Sequence, residues 1–409
     1  MRFSNEFSEG LRIAVDAVRT NKLRAGLTTL GIIVGIVTVT LMGTAIQGLR
    51  RSFVQSISAM GTDVLYVQRF DWFIDSPGEW MKQEKRREIT WSQVRALERQ
   101  LTTARAVAPF VDIRQPVKYQ KRSSSSVTII GTSEQFLYTG GLSVAQGRFM
   151  SAAEADGGRP VCVIGAQTAT NLFQEESPLG KRVQVGGRPF EVVGVLEKQG
   201  EFMGAFSLDN QVVVPIRQLT SQFWHFPDYQ VQIKVGDVDR MEEAREEVRG
   251  VMRKIRRVRP GEDDDFAINQ QEQLLRMFNR VVRVIATVGL FITGLSLFVG
   301  GIGIMNIMFV SVAERTREIG IRKAIGAKRR AILMQFLTEA ASICLLGGLL
   351  GLGIAWPLTL LLSKILPASL SPLVVGIAIL VSLLTGVVAG FLPAWRAARM
   401  NPVDALRNE

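Results

Sequence analysis

Four long runs without a charged residue constrain the fold of this chain more than any other feature. No Lys, Arg, Asp or Glu occurs in residues 25–49, 284–313, 340–363 or 365–395. Each run reaches or exceeds the roughly 20 residues that an α-helix needs to cross a bilayer. The last run opens with turn residues, so its helix is expected to begin at Pro372. Burial inside a large soluble protein would explain one such run, but not four. The sequence therefore predicts four transmembrane helices.

The distribution of basic residues predicts the orientation of these helices. The formal net charge is +12, yet residues 50–275 hold 30 Lys and Arg against 29 Asp and Glu, so the basic excess flanks the apolar runs. Cytoplasmic flanks are enriched in Lys and Arg, which places both termini and the loop 314–331 in the cytoplasm. Residues 49–275 are then extracytoplasmic. Because the excess has this topological explanation, a nucleic-acid partner is not expected.

The predicted order of segments follows from these boundaries. The first 24 residues have an apolar stripe at helical spacing, which indicates a helix on the inner membrane surface or one packed on other cytoplasmic segments. They lack the apolar core of a cleaved signal peptide, so the first span is expected to be an uncleaved anchor. The predicted segments are a cytoplasmic amphipathic helix (1–24), transmembrane helix 1 (25–48), an extracytoplasmic domain (49–275), a stalk with transmembrane helix 2 (276–313), a cytoplasmic segment (314–331), transmembrane helices 3 (332–363) and 4 (372–395), and a cytoplasmic tail (396–409).

The extracytoplasmic domain is predicted to be α+β. Thr90 is placed to cap a helix, VGGRP at 185–189 indicates a tight turn, and the serines at 123–126 indicate a hairpin tip. Short apolar runs bounded by turn residues predict strands at 127–130, 161–164, 190–196, 212–214 and 231–235. No catalytic constellation is evident, and one histidine with two separated cysteines gives no zinc-binding spacing. The domain is therefore interpreted as a binding or force-transmitting module.

Glycines within the apolar runs are predicted to let transmembrane helices approach closely. Several follow the small-xxx-small spacing of helix interfaces in membranes. They lie inside spans, so they are not interpreted as phosphate-binding loops. The predicted helix-packing residues are Gly31, Gly35, Gly300, Gly301, Gly303, Gly347 and Gly351.

Three segments carry a resemblance to a known family. They are RTNKLRAGLTTLGIIVGI at 19–36, GGIGIMNIMFVSVAERTREIGIRKAIGAKRRAILMQFLTEA at 300–340 and LPAWRAARMNPVDAL at 392–406. Together they resemble MacB-type permeases, the group that includes macrolide exporters, lipoprotein-releasing permeases and the cell-division permease FtsX. The resemblance implies a bacterial inner-membrane protein with four transmembrane helices and an α+β extracytoplasmic domain of two lobes.

The resemblance also implies partners. A second permease copy, either identical or a close paralogue, would pair with two cytoplasmic ABC ATPase subunits. Those subunits would bind the ATP and Mg²⁺. No GxxxxGK[ST] motif occurs in these 409 residues, so no cofactor is expected to bind this chain. A periplasmic adaptor and an outer-membrane channel are further expected partners, together with membrane lipid.

The cytoplasmic segment after the second span is predicted to be where the ATPase pushes. It combines a dense mixed-charge surface with apolar side chains that suit a groove on a partner. Its glycines allow the backbone to leave a straight helix. The alternative is that the basic residues only enforce topology and contact anionic lipid headgroups. The predicted coupling residues are Glu314, Arg315, Arg317, Glu318, Ile319, Arg322, Lys323, Ile325 and Gly326, with Ile321 as a further apolar anchor.

Two functions remain open at this point. The first is export or extrusion of a hydrophobic or amphipathic substrate such as a drug, peptide, siderophore or lipid-linked molecule. The second is a signalling scaffold in which ATP hydrolysis drives the outer domain to activate a cell-wall hydrolase or sensor. An outer domain of more than 200 residues in the MacB pattern favours transport.

Overall fold

The computed structural model describes residues 22–58, 61–74, 76–202, 206–225, 227–364 and 367–407. Most of the predicted amphipathic helix therefore lies outside the described residues. The chain divides into two compact units. The sheet domain comprises residues 53–278, and the helical unit comprises the residues before 53 and after 278. The division falls inside two long helices, described below.

The elements alternate in a way typical of an α+β domain set between apolar helices. The helices are α1 (Lys22–Ser58), α2 (Pro77–Glu84), α3 (Trp91–Gln100), α4 (Phe136–Thr139), α5 (Ala152–Gly157), α6 (Ala166–Phe173), α7 (Ile216–Gln222), α8 (Met241–Arg256), α9 (Gln271–Glu314), α10 (Thr316–Ala324), α11 (Arg329–Leu362), α12 (Pro372–Arg399) and α13 (Pro402–Arg407). The strands are β1 (Val64–Gln68), β2 (Ala104–Tyr119), β3 (Arg122–Thr132), β4 (Val144–Gly147), β5 (Val161–Ile164), β6 (Arg182–Val185), β7 (Arg188–Leu196), β8 (Glu201–Phe202), β9 (Phe206–Ser207), β10 (Gln211–Pro215), β11 (Gln230–Val235) and β12 (Ala267–Gln270).

The four predicted apolar helices are confirmed. Within the described residues, α1, α9, α11 and α12 are the helices long and apolar enough to cross a membrane. Helices α1, α9 and α11 are longer than the uncharged runs that predicted them, because charged residues continue each helix beyond the apolar part, whereas α12 begins at Pro372, inside its run. With 44 residues, α9 is the longest, and at 1.5 Å per residue it spans about 66 Å. That exceeds the roughly 30 Å of a bilayer core.

The sheet domain is built on one ten-stranded mixed sheet. Its strand order is β12-β1-β11-β2-β3-β10-β5-β7-β4, with β6 pairing β2 and β7, and β8 and β9 form a separate pair. Most pairs are antiparallel, while β10–β3 and β5–β7 are parallel. One apolar core joins the strands to α3, α6 and α8, and a second lies under α4 and α5. Helix α8 contributes Ala244, Val248 and Met252 to the first core, a stripe at four-residue spacing.

Both chain connections to the helical unit are fastened inside the sheet domain. Strand β12 runs directly into α9, and its partner β1 follows α1. The side-chain amide of Gln271 donates to the Ile57 carbonyl at 3.0 Å. The rings of Phe53 and Phe278 stack with centroids 4.2 Å apart. The end of α1 and the start of α9 are thus held together beside the edge of the sheet.

Most of the local predictions for the sheet domain are confirmed, and one is wrong. The five predicted strands lie within β3, β5, β7, β10 and β11, and Thr90 forms a capping box at the start of α3. The glycine turn joins β6 to β7, where Gly186 and Gly187 have φ of 54° and 86°. The serine hairpin tip is wrong, because those serines lie in β3 and the turn is at Gln120, which has φ of 50°. A strand is extended by hydrogen bonding of its backbone, so polar side chains such as these serines do not show where the turn begins.

Candidate coupling helix

Helix α9 is interrupted where the predicted coupling segment begins. Arg315 separates it from α10 and has φ of −100° and ψ of 13°, in the sparsely populated bridge region. The Thr316 hydroxyl donates to the carbonyls of Val312 at 3.1 Å and Ala313 at 2.8 Å. A hydroxyl that bonds back to the preceding turn weakens the helical pattern there. We call this break the Arg315 joint.

The end of α10 is a Schellman motif that requires glycine. The Gly326 amide donates to the Lys323 carbonyl and the Ala327 amide to the Arg322 carbonyl, both at 3.0 Å. Gly326 has φ of +101°, which residues with a Cβ rarely adopt. The glycine therefore terminates α10 and turns the chain toward α11.

The inner face of α10 packs into the core of the helical unit. Ile319 is only 3% exposed and shares this core with Ile332 and Phe336 of α11. The prediction of Ile319 as an apolar anchor for a partner is therefore corrected. Periodicity alone could not separate it from the other isoleucines, and it holds α10 in place instead.

Polar side chains fasten α10 to α11. Arg315 Nη1 lies 3.3 Å from Glu339 Oε2, and the Glu339 side chain is buried. Further along, Arg322 Nη1 donates to Gln335 Oε1 at 2.6 Å and also pairs with Glu318 on its own helix. Two of the predicted coupling arginines thus face the neighbouring helix.

Lys323 fastens α10 to the end of α12. Its ammonium donates to the carbonyl of Ala398 at 2.7 Å and to that of Met400. The last carbonyls of a helix lack partners within the helix, and a cation there also offsets the helix dipole. Burial, with a smaller contribution from the charge of Arg329, lowers the pKa of Lys323.

The outer face of α10 carries exposed apolar side chains. Ile321 is 43% exposed and Ile325 is 82% exposed. Arg317, also exposed, precedes them by four and eight residues, so the three occupy one side of the helix. Glu314 is exposed at the end of α9. We call Arg317, Ile321 and Ile325 the outer face of α10.

Six of the seven predicted glycines lie where helices meet. A Cβ on Gly31 would sit 2.9 Å from the Gly300 Cα, and one on Gly35 would sit 2.9 Å from a Leu297 methyl carbon. Since a Cα cannot rotate away, α1 and α9 can be this close only with glycine on both.

The glycines of α11 receive side chains of α1. A Cβ on Gly347 would lie 3.3 Å from Ile32, and one on Gly351 would lie 3.0 Å from Ile36. Gly301 is less constrained, since its nearest neighbour would be 3.6 Å away, and Gly303 is half-buried.

Glu339 and Gln335 were not predicted as site residues. Glu339 directly precedes the charge-free run 340–363, so in the sequence it marks only the boundary of that run. The sequence did offer one signal, an acidic residue that continues the apolar face of a transmembrane helix. Such acids are rare within membranes and usually pair with another group.

The sheet domain contains a polar cleft of about 780 Å³ between α2, α8 and β12. Its walls hold charges of both signs, and several are already paired. Arg86 lies 3.1 Å from Asp71, and Arg249 lies 3.3 Å from Asp264. Its lining holds five acidic and five basic side chains, so the net charge of the cleft favours a ligand of neither sign.

Sequence comparisons place both units in known families. Residues 25–251 match the MacB-like periplasmic core domain, and residues 290–402 match the FtsX-like permease C-terminal domain. The chain belongs to the family of MacB- and FtsX-like ABC-transporter permeases. MacB- and FtsX-like permeases work with ABC ATPase partners. A periplasmic core domain together with four apolar helices identifies the chain as an inner-membrane protein.

Relatives within this family align along the whole chain. The uncharacterized ABC transporter permease YknZ of Bacillus subtilis is 33% identical over 98% of this chain and 99% of its own length. The macrolide export ATP-binding/permease protein MacB of Rhodopirellula baltica is 32% identical over 97% of this chain and 62% of its own length. The pyoverdine export ATP-binding/permease protein PvdT of Pseudomonas syringae is 32% identical over all of this chain and 60% of its own length. The chain thus spans about three fifths of the two export proteins.

Proposed function

We propose that this permease couples ATP hydrolysis by a separate pair of cytoplasmic ABC ATPase subunits to export of a hydrophobic or amphipathic substrate from the outer side of the membrane. The observation that carries the proposal is α9, one helix that starts at the last strand of the sheet domain and ends at the Arg315 joint. A displacement of α10 can be transmitted to the sheet domain through this helix. The functions for which the MacB and PvdT relatives are named, macrolide and pyoverdine export, support the substrate class.

The ATPase is proposed to dock on the outer face of α10. A short helix that presents apolar side chains suits a groove on a partner protein. Lipid headgroups or topology would account for basic residues such as Arg317. They would not account for Ile321 and Ile325, which are exposed at the end of an apolar unit. The ATP and Mg²⁺ would bind the partner and not this chain.

The remaining assembly is also proposed. Both termini would be cytoplasmic, a second permease copy would complete the dimer, and an adaptor with an outer-membrane channel would receive the substrate. The two apolar cores of the sheet domain, one on α3, α6 and α8 and one on α4 and α5, support a division into two lobes.

Docking is tested by Ile325→Asp with Val403→Asp as a matched control. Both isoleucine and valine are exposed apolar residues of the helical unit, and Val403 lies on α13. Losing one anchor should weaken ATPase recovery with the tagged permease by roughly 5- to 150-fold, equivalent to about 1–3 kcal/mol. Val403→Asp should leave recovery unchanged. Equal recovery of the ATPase with both variants would contradict docking on α10.

Export is tested by adding a macrolide to proteoliposomes of the permease with its copurified ATPase. The permease alone should show no ATP hydrolysis, and the complex should hydrolyse ATP faster with the macrolide. Hydrolysis that responds to an added cell-wall hydrolase, but to no amphipathic compound, would favour the signalling scaffold instead.

Orientation is tested with single cysteines at Gln120 and Lys328. The native Cys162 and Cys344 are buried, so they should not interfere. In spheroplasts an impermeant thiol reagent should label the cysteine at 120 at once and that at 328 only after lysis. The reverse pattern would refute the proposed orientation.

A further inference from the structure

Glu339 is a buried acid in an otherwise apolar part of the helical unit. It is 4% exposed, and its own helix contributes Phe336, Ala340 and Ile343 to the core of the helical unit. Its described ionic partner is Arg315, whose Nη1 is 3.3 Å away. A carboxylate in this setting is expensive to bury, because it leaves water and gains few partners.

The net stability of such a pair does not explain its presence. Buried ion pairs contribute little over apolar residues of similar size, since desolvation offsets the attraction. Their best-attested use is to specify one arrangement among several. The arrangement specified here is that of the Arg315 joint relative to α11.

Two contacts run along the α10–α11 interface in antiparallel order. Arg315 meets Glu339 and Arg322 meets Gln335, so the partners on α11 are one turn apart. Ile319 lies between the two arginines in sequence and is buried against α11. Without the first contact, α10 would keep the Arg322 hydrogen bond, the buried Ile319 and the Lys323 contacts to the end of α12, but the Arg315 joint itself would no longer be fastened to α11.

We propose that Glu339 is a positioning residue that locks the Arg315 joint, so that α10 moves with α11 as one body. This inference rests on the proposed coupling function. A push on α10 would then reach α11 together with α9, instead of being absorbed by bending at the joint.

The first test measures the joint itself and needs no ATPase. Spin labels are placed at Ala324 on α10 and Leu350 on α11, both exposed, in the full chain in lipid nanodiscs. The distance distribution should be narrow with native Glu339 and broad with Glu339→Gln. Asp404→Asn, an exposed acid on α13, provides the control and should stay narrow. A distribution as narrow in Glu339→Gln as in the control would overturn the proposal.

The second test separates coupling from docking. Glu339→Gln should retain ATPase recovery with the tagged permease, while stimulation of ATP hydrolysis should fall about 5-fold or more, the range of typical coupling energies. A residue needed only for folding would lower both together. The exchange Arg315→Glu with Glu339→Arg should restore stimulation at least in part. An exchanged protein that accumulates without stimulation, or does not accumulate, counts against the pair.

Failure of the proposed function would look different. If no ATPase copurified with the native tagged permease, the coupling proposal would be refuted. The distance measurement would still decide whether Glu339 locks the joint. If the native chain is coupled and Glu339→Gln matches it in stimulation and in distance distribution, only the positioning role is lost.

Discussion

The two units of this permease are packed under different driving forces. Both bury large side chains completely, such as Phe173 and Phe190 in the sheet domain and Ile32 and Ile36 in the helical unit. In the helical unit the closest contacts involve glycine, as between Gly31 and Gly300. Burial of apolar area drives folding in water at about 25 cal/mol per Å². Between helices in lipid that driving force is absent, and close packing of small residues replaces it.

The described ion pairs show the same contrast. Most lie in the sheet domain, whereas the helical unit contains Arg315–Glu339 and Glu318–Arg322. Both belong to α10 or its joint. Surface pairs in water contribute little to stability. Charges concentrated on one short helix of an apolar unit therefore point to function more than to stability.

The largest effect is expected for a large core side chain of the sheet domain. Phe190→Ala should lower the free energy of unfolding of that domain by about 3–5 kcal/mol, because a cavity replaces a buried ring. Cys162, buried in β5, reports the opening, since burial also raises the pKa of its thiol. Its labelling rate in the full chain should rise by roughly 150-fold or more.

The control for this change is Tyr138→Ala, which removes an exposed aromatic side chain. It should change the free energy of opening that Cys162 labelling reports by less than about 0.5 kcal/mol. Labelling of Cys344, buried in α11, should stay unchanged in both variants. If Phe190→Ala exposed Cys344 as well, the two units would not be energetically distinct.

A smaller effect is expected where glycine permits helix contact. A Cβ on Gly300 would sit 3.1 Å from the Ile32 amide nitrogen, while one on Gly294 would meet nothing within 4 Å. Gly300→Leu should destabilise the helical unit by about 1–3 kcal/mol through overpacking. Gly294→Leu, on the same helix, should be close to neutral. The measurement is the Cys344 labelling rate, and equal rates in the two variants would remove the contrast.

The sequence predicted the spans well because the signal is local and long. It predicted five strands from short apolar runs, but missed β2, where Pro109 and Pro116 interrupt the pattern. Proline removes a backbone donor and is depleted in strands, so a 16-residue strand that contains two was not expected. The pairing of β2 with β3, β6 and β11 compensates, and no local pattern shows it.

The candidate site was predicted as a segment but not as a geometry. Charge and apolar content identified the stretch that contains α10. Which isoleucine faces inward depends on how α10 sits on α11, so Ile319 and Ile325 could not be distinguished. The pairing of Arg315 with Glu339 joins residues 24 positions apart on two helices, and a single sequence carries no record of that contact.

The smallest effect concerns an ion pair at the surface of the sheet domain. Arg148 Nη1 and Nη2 each lie 2.7 Å from a carboxylate oxygen of Glu154, which also accepts from the Ser151 amide at 2.9 Å. The Arg148 hydrogen bonds lower the pKa of Glu154 to about 2, against an ordinary value of 4.5. The unfolded chain therefore takes up a proton first, so the pair stabilises the fold above about pH 5 and loses that contribution as the pH falls toward 2. Arg148 is more than half exposed, and solvent screening reduces the effect to about 1 kcal/mol.

Urea unfolding of the full chain should show Glu154→Gln less stable than the native protein at pH 7 by this amount, and nearly equal at pH 2.5. The exposed Glu197→Gln should show no such convergence. A difference between Glu154→Gln and the native protein that persists unchanged at pH 2.5 would mean that side-chain shape, and not charge, holds this corner of the sheet domain.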